Sequence, residues 1–70
     1  RPIKYYAEQY ISKLKRRIEN NDNEIEEVRF GRFKNPEVII RNIKKEQEMY
    51  RNAIEEIENK YVRPEEEKTN

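Results

Sequence analysis

Apolar residues recur along both halves of the chain at alternating steps of three and four. In the first half these positions are Ala7, Ile11, Leu14, Ile18, Asn21, Ile25 and Val28. In the second half they are Ile40, Ile43, Gln47, Tyr50, Ile54, Ile57 and Tyr61. Each series has the average period of about 3.5 residues that is typical of a coiled-coil helix, and each contains one amide. The pattern predicts two long helices, each with one apolar seam.

The residues between the two series carry turn and capping signals. Gly31 lies where the first helix is expected to end in a left-handed residue. Asn35, Pro36 and Glu37 have the types favoured at the N-cap, the first helical position and the first turn. A turn this short makes the two helices antiparallel neighbours.

The predicted hairpin, residues 1–62, consists of helix 1 over about 2–30, a turn over 31–35 and helix 2 over 36–62. Pro64 is expected to stop the second helix and to leave 63–70 as a flexible acidic tail. An alternative is a break in helix 1 at the poor helix formers 20–23. The heptad phase continues through that stretch, which favours one continuous helix.

The register of the hairpin follows from placing Val28 opposite Ile40. Every seam residue of helix 1 then meets a seam residue of helix 2, and Asn21 falls opposite Gln47. A lone amide buried in an apolar seam would cost about 1–3 kcal/mol, whereas two facing amides can satisfy each other. We therefore predict a register layer formed by Asn21 and Gln47.

Composition restricts the possible functions. The 70 residues are 33% hydrophobic and 44% charged, with a net charge of +1, so the core must be thin and a partner or self-association should supply further burial. The chain has no Cys and no His, and we expect no disulfide, metal site, cofactor or His-based chemistry. No apolar run approaches the roughly 20 residues of a membrane span, so a soluble, cytoplasmic protein is the default expectation. The chain begins at Arg1 rather than Met, which suits a piece of a longer protein.

Catalytic residues are scarce in this sequence. Ser12 and Thr69 are the hydroxyl nucleophile candidates besides tyrosine, and there is no glycine-rich phosphate loop. Paired glutamates are interpreted as solvated surface. We expect a non-catalytic protein without a small-molecule substrate.

One edge of the predicted hairpin is apolar beyond the seam. We call this surface the apolar flank; it comprises Ile3, Tyr6, Tyr10, Ile39, Met49 and Ala53. The opposite edge is charged throughout. Exposed apolar patches usually mark interfaces, so the flank is a candidate protein interface, and two copies joined there would form a four-helix bundle. The alternative is that the tyrosine rings and the methionine simply lie along the surface and thicken the two-helix core.

The turn and its surroundings are basic. We call this region the basic tip; it comprises Arg29, Phe30, Arg32, Phe33, Lys34, Arg41, Lys44 and Lys45. Cations interleaved with aromatic rings can hold phosphates and stack on bases, so a nucleic-acid-binding arm is the alternative function. An acidic protein would fit the same region. In a third interpretation, Phe30 and Phe33 plug the end of the hairpin and the cations remain in water.

The turn residues Asn35, Pro36, Glu37 and Val38 between two helices resemble the turn of the small helical-hairpin phosphatases that act on sporulation response regulators. That family carries a Ser-Gln-Glu-Leu-Asp motif early in its second helix. The corresponding stretch here, 40–47, lacks the motif, so the activity is not carried over.

The sequence therefore predicts an all-α, antiparallel two-helix hairpin (coiled coil) that pairs into a helical bundle. The expected function is a non-catalytic protein–protein interaction and assembly module. A small phage or mobile-element accessory protein and a coiled-coil piece of a larger protein are the two settings considered.

Overall fold

The computed structural model describes residues 1–68 of the chain. Helix α1 spans Ile3–Phe30, and helix α2 spans Pro36–Ile57. A π-helical turn, Glu58–Val62, leads from α2 into a short helix α3, Arg63–Lys68. Helices α1 and α2 pack antiparallel along a body of 53 × 16 × 15 Å. The predicted all-α antiparallel hairpin is confirmed, whereas the pairing of hairpins into a bundle stays a prediction.

Helix α1 passes without interruption through residues 20–23, where a break was the alternative. Asn21 and Ile25 in this region are both buried on the seam. Residues such as Asn and Asp cost at most about 0.7 kcal/mol each in helix propensity. Packing of the seam on both sides of the stretch outweighs that local cost, since tertiary contacts supply most helical stability in proteins.

The turn is compact, but it does not contain the expected left-handed glycine. Gly31 has φ −88° and ψ 179°, and none of the described residues has a positive φ. Glycine is required for space: a Cβ atom at this position would lie 2.7 Å from both the backbone oxygen of Glu27 and Cε2 of Phe33. Helix α2 begins at Pro36 as predicted, although the side chain of Asn35 makes no capping hydrogen bond.

Helical structure continues past Pro64 as far as Lys68. The prediction that Pro64 stops the second helix and leaves a flexible tail from residue 63 was therefore wrong for residues 63–68. The backbone N–H of Arg63 bonds the carbonyl of Glu58, five residues earlier. A π-helical turn is wider than an α-helical one. In an α-helix the proline ring clashes with the carbonyl four residues earlier. We attribute the continuation of the helix beyond Pro64 to the extra space that the π-helical turn gives this ring. Residues 69 and 70 of the predicted tail lie outside the described residues.

The π-helical turn also changes which residue faces the core. Such a turn contains one residue more than an α-helical turn, so the heptad phase slips by one position. Val62 is buried and packs with Ala7, Ile11 and other core residues. Tyr61, which the heptad pattern placed in the seam, is 43% exposed instead.

The core is a single apolar layer between two helices. Its buried residues in α1 and α2 are Ala7, Ile11, Leu14, Asn21, Ile25, Val28, Gln47 and Ile54. No large side chain among the described residues is fully buried. The hairpin therefore has little interior of its own.

We expect Val62→Ala to lower the free energy of unfolding by about 1–2 kcal/mol, because two buried methyl groups are lost from the core. Tyr61→Ala should cost less. Urea denaturation followed by circular dichroism, at chain concentrations too low for self-association, measures both changes. A larger loss for Tyr61→Ala would indicate that the heptad phase continues unchanged.

Candidate interaction surfaces

Gln47 links the two long helices at the predicted register layer. Its side-chain nitrogen Nε2 donates to the backbone oxygen of Ile18 at 3.0 Å and to Oδ1 of Asp22 at 2.7 Å. These acceptors lie on the helical turn that contains Asn21, and both Asn21 and Gln47 are buried. Gln47 therefore contacts the same turn of α1 that the seam pattern predicts it to face.

The expected hydrogen bonding between the two amides does not form. Gln47 uses its nitrogen for Ile18 and Asp22, and the side-chain nitrogen of Asn21 is buried with no partner among the described residues. The extra methylene of glutamine lets it extend past Asn21 to the α1 backbone. The layer thus contains one satisfied amide nitrogen, that of Gln47, and one unsatisfied amide nitrogen, that of Asn21, and the latter lowers stability.

The apolar flank is largely exposed. Ile3 and Met49 are 65% and 68% exposed, and Tyr6 and Tyr10 are also exposed. Ala53 packs partly against the core. Ala53 thus contributes to the core, and the role of the other flank residues as a protein interface stays a prediction.

A shallow depression of about 240 Å³ lies at the open end of the hairpin, away from the turn. It is lined by Ile3, Tyr6, Ala7, Tyr10, Ile57 and Tyr61. Tyr61 thus joins the flank, a position that an unbroken heptad pattern does not predict. Pro64 was the available signal of a helix irregularity, but it does not indicate which residue turns outward.

Polar residues divide the apolar flank. Arg17 follows Tyr10 by one heptad, and Glu46 lies midway between Ile39 and Ala53, so both share the flank's edge position. The hydroxyl of Tyr50 donates to Oε1 of Glu46 at 2.8 Å, and this hydrogen bond raises the pKa of the tyrosine. The structure groups Ile3, Tyr6 and Tyr10 at the open end, whereas Met49 lies at the level of the polar residues and Ile39 lies beyond them.

Arg17 belongs to the same polar group. Its guanidinium carbon lies 5.9 Å from the centre of the Tyr50 ring, a distance compatible with a cation–π contact. The charged pair Arg17 and Glu46 thus brackets Tyr50 at the middle of the hairpin. Any partner that covers the open half would meet this polar boundary.

Both aromatic residues of the basic tip face solvent. Phe30 is 87% exposed and Phe33 is 50% exposed. The interpretation in which they plug the end of the hairpin is therefore wrong. The ring of Phe33 lies against Gly31, whereas Phe30 projects from the last turn of α1.

A second depression, of about 750 Å³, begins beside the turn. It is lined by Arg29, Pro36, Glu37, Ile40, Arg41, Lys44, Lys45 and Glu48. Glu48 pairs with Arg51 at 3.7 Å. None of the six cations of the basic tip has a carboxylate within ion-pairing distance in the described part of the chain.

The net positive charge at the turn end of the hairpin is smaller than the residues around the turn alone suggest, because carboxylates of α1 pack beside them. Antiparallel packing places Glu24, Glu26 and Glu27 of α1 alongside the start of α2. Residues 23–45 then contain six cations and four carboxylates. The positive character is concentrated in the turn and in the large depression rather than spread over the whole end.

None of the helices within residues 1–68 combines the length and the hydropathy of a transmembrane span. The same residues contain no group of three or more acidic side chains arranged to hold a metal ion.

These features define an extended antiparallel helical hairpin with many exposed apolar residues. Comparisons with protein-family models, with curated proteins and with solved structures found no match for the chain. The resemblance to the sporulation phosphatases stays confined to the turn residues and the hairpin plan.

We expect Asn21→Leu to raise the free energy of unfolding by about 1–2 kcal/mol, because it removes an unpartnered buried donor while Gln47 keeps both acceptors. Urea denaturation at fixed chain concentration measures the change. Asn20→Leu, at an exposed neighbouring position, is the control for helix propensity. Equal stabilisation by the two substitutions would show that the buried amide costs nothing.

Proposed function

We propose that this chain is a non-catalytic assembly module that packs through its apolar flank. The observation that supports this function is the exposure of Ile3, Tyr6, Tyr10 and Met49 on one side of the hairpin. Isolated exposed apolar residues are ordinary, but a contiguous group usually marks an interface. Tyrosine and methionine are also enriched in protein interfaces.

The thin core gives a thermodynamic reason for this packing. A chain of about 70 residues is only marginally stable on its own. Burial of apolar surface contributes about 25 cal/mol per Å², so covering the flank adds stability that the single-layer core lacks. Assembly and folding would then be coupled.

A second copy of the chain is the partner we favour. The flank's open half extends from Ile3 to Met49, and in the hairpin register Met49 lies beside residue 19 of α1. The two ends therefore lie roughly 24 Å apart at 1.5 Å per residue. A symmetric antiparallel dimer would place Ile3 of each copy against Met49 of the other.

This arrangement has a structural consequence for the basic tips. The flank covers only the half of the hairpin away from the turn, so the two tips would project at opposite ends of the dimer. The dimer would be roughly 70 Å long by the same helical rise, compared with 53 Å for one hairpin. A small phage or mobile-element accessory protein, or a coiled-coil region of a larger protein, could use such a module.

Replacing Tyr10 and Met49 together by Glu should produce a monomer of lower stability, since each carboxylate would have to be desolvated in the interface. Sedimentation equilibrium across a concentration series measures the mass. The matched control is Ser12→Glu with Asn52→Glu, which adds the same charge at exposed polar positions and should leave the dimer intact.

A wild-type chain that remains monomeric up to millimolar concentration would overturn the proposed self-association. A dimer that survives Tyr10→Glu with Met49→Glu would show that another surface joins the copies. Small-angle scattering of the wild-type dimer distinguishes the antiparallel arrangement from a parallel one, which would be no longer than a single hairpin.

A further inference from the structure

The basic tip presents two aromatic rings to solvent, one almost fully exposed (Phe30) and one half exposed (Phe33). Phe30 and Phe33 are the aromatic residues closest to the turn, and neither packs into the seam. Their exposure does not depend on the apolar flank, because the flank's exposed residues lie mainly in the opposite half of the hairpin. The tip is therefore a separate surface that the proposed dimer leaves uncovered.

Cations adjoin these rings along the chain, and these cations have no carboxylate partners among the described residues. Arg29 precedes Phe30, while Arg32 and Lys34 flank Phe33 in the chain. Because none of them is engaged in an ion pair within the described residues, an anionic ligand would not have to displace an internal partner.

The positive surface continues from the turn along one side of α2. Four cations line the large depression against two carboxylates, Glu37 and Glu48, and the apolar groups of Pro36 and Ile40 also line it. A flexible anionic chain that crosses the turn could follow this depression. Glu26 and Glu27 lie one helical turn before Phe30, so the phosphates of a bound strand would follow the depression rather than α1.

We infer that the basic tip binds single-stranded nucleic acid, with bases stacked on Phe30 and Phe33 and phosphates held by the surrounding cations. A single strand alternates flat bases with negative charges, and the segment 29–34 alternates cations with rings. Stacking on aromatic side chains together with a basic groove is a general way of binding single strands. A duplex keeps its bases stacked inside and offers the rings no comparable faces.

Two other anionic partners fit the tip less well. An anionic membrane is a broad surface, so contact with Phe30 would also bring it against Glu26 and Glu27 on the same helix face, whereas a single strand can place one base on the ring. An acidic peptide would satisfy the cations, but its carboxylates provide no flat surface for the exposed rings. Both partners are included in the test.

The experiment uses the full chain and fluorescence anisotropy with a labelled 15-nucleotide oligouridylate. The comparison probes are the matching duplex, a labelled oligoglutamate peptide and, by co-sedimentation, vesicles containing phosphatidylserine. We expect the single strand to bind best. Log affinity should fall with log salt with a slope of about −2 to −3, as expected for three or four phosphate contacts to a single strand.

Phe30→Ala with Phe33→Ala should weaken binding of the single strand by about tenfold or more, because stacking is lost. Tryptophan at both positions should preserve binding. Circular dichroism should show unchanged helicity in both variants, since the replaced rings are exposed. Unchanged affinity in the alanine variant would overturn the stacking inference.

Arg32→Glu with Lys34→Glu should abolish binding at moderate salt. The matched control, Lys15→Glu with Arg16→Glu, makes the same charge change at exposed positions away from the tip and should reduce affinity only slightly. Equal losses in both variants would indicate nonspecific attraction. Preferred binding of duplex, oligoglutamate or vesicles, or no binding of the single strand, would overturn the inference.

The assembly proposal and the nucleic-acid inference can fail separately. The monomeric variant Tyr10→Glu with Met49→Glu should still bind the single strand, because its tip is unchanged. Loss of binding in that variant would show that the site needs two copies and would overturn the inference of a self-sufficient tip.

Discussion

The hydrogen bonds from Gln47 to the Ile18 carbonyl and the Asp22 carboxylate hold α2 at one axial position along α1. A displacement by one heptad would keep the apolar seams in contact but would move Gln47 away from both acceptors. Its buried amide would then be unpaired, which is costly in an apolar environment. Shifts that break the heptad would rotate the seams apart. The positions of the flank and the tip both follow from this register.

The thin core explains why so much apolar surface remains outside. Two helices provide one shared layer, and the high content of charged residues leaves few side chains to build a second. The polar group around Tyr50 then confines the continuous apolar surface to the open half, while the aromatic residues of the turn lie at the other end. The hairpin thus separates a surface suited to assembly from one suited to an anionic ligand.

The candidate surfaces were only partly predictable. Tyr10 and Met49 were placed outside the seam by their heptad positions, and their exposure agrees with that placement. The heptad pattern does not determine whether Phe30 and Phe33 are exposed, since their exposure depends on the path of the turn. That path is governed by close contacts around Gly31, which periodicity does not describe. Tyr61 was missed because the π-helical turn moved it outward.

Heptad spacing and the Pro36 helix start were sufficient to specify two long antiparallel helices, because periodic burial and local backbone preferences act along the chain. Three-dimensional packing was needed to choose Val62 over Tyr61 for the core. It was also needed to direct the Gln47 side chain to the Ile18 carbonyl and the Asp22 carboxylate rather than to the Asn21 amide. These outcomes depend on the width of one helical turn and the reach of one side chain. A difference of one residue or one methylene reverses them, and no periodic pattern contains that information.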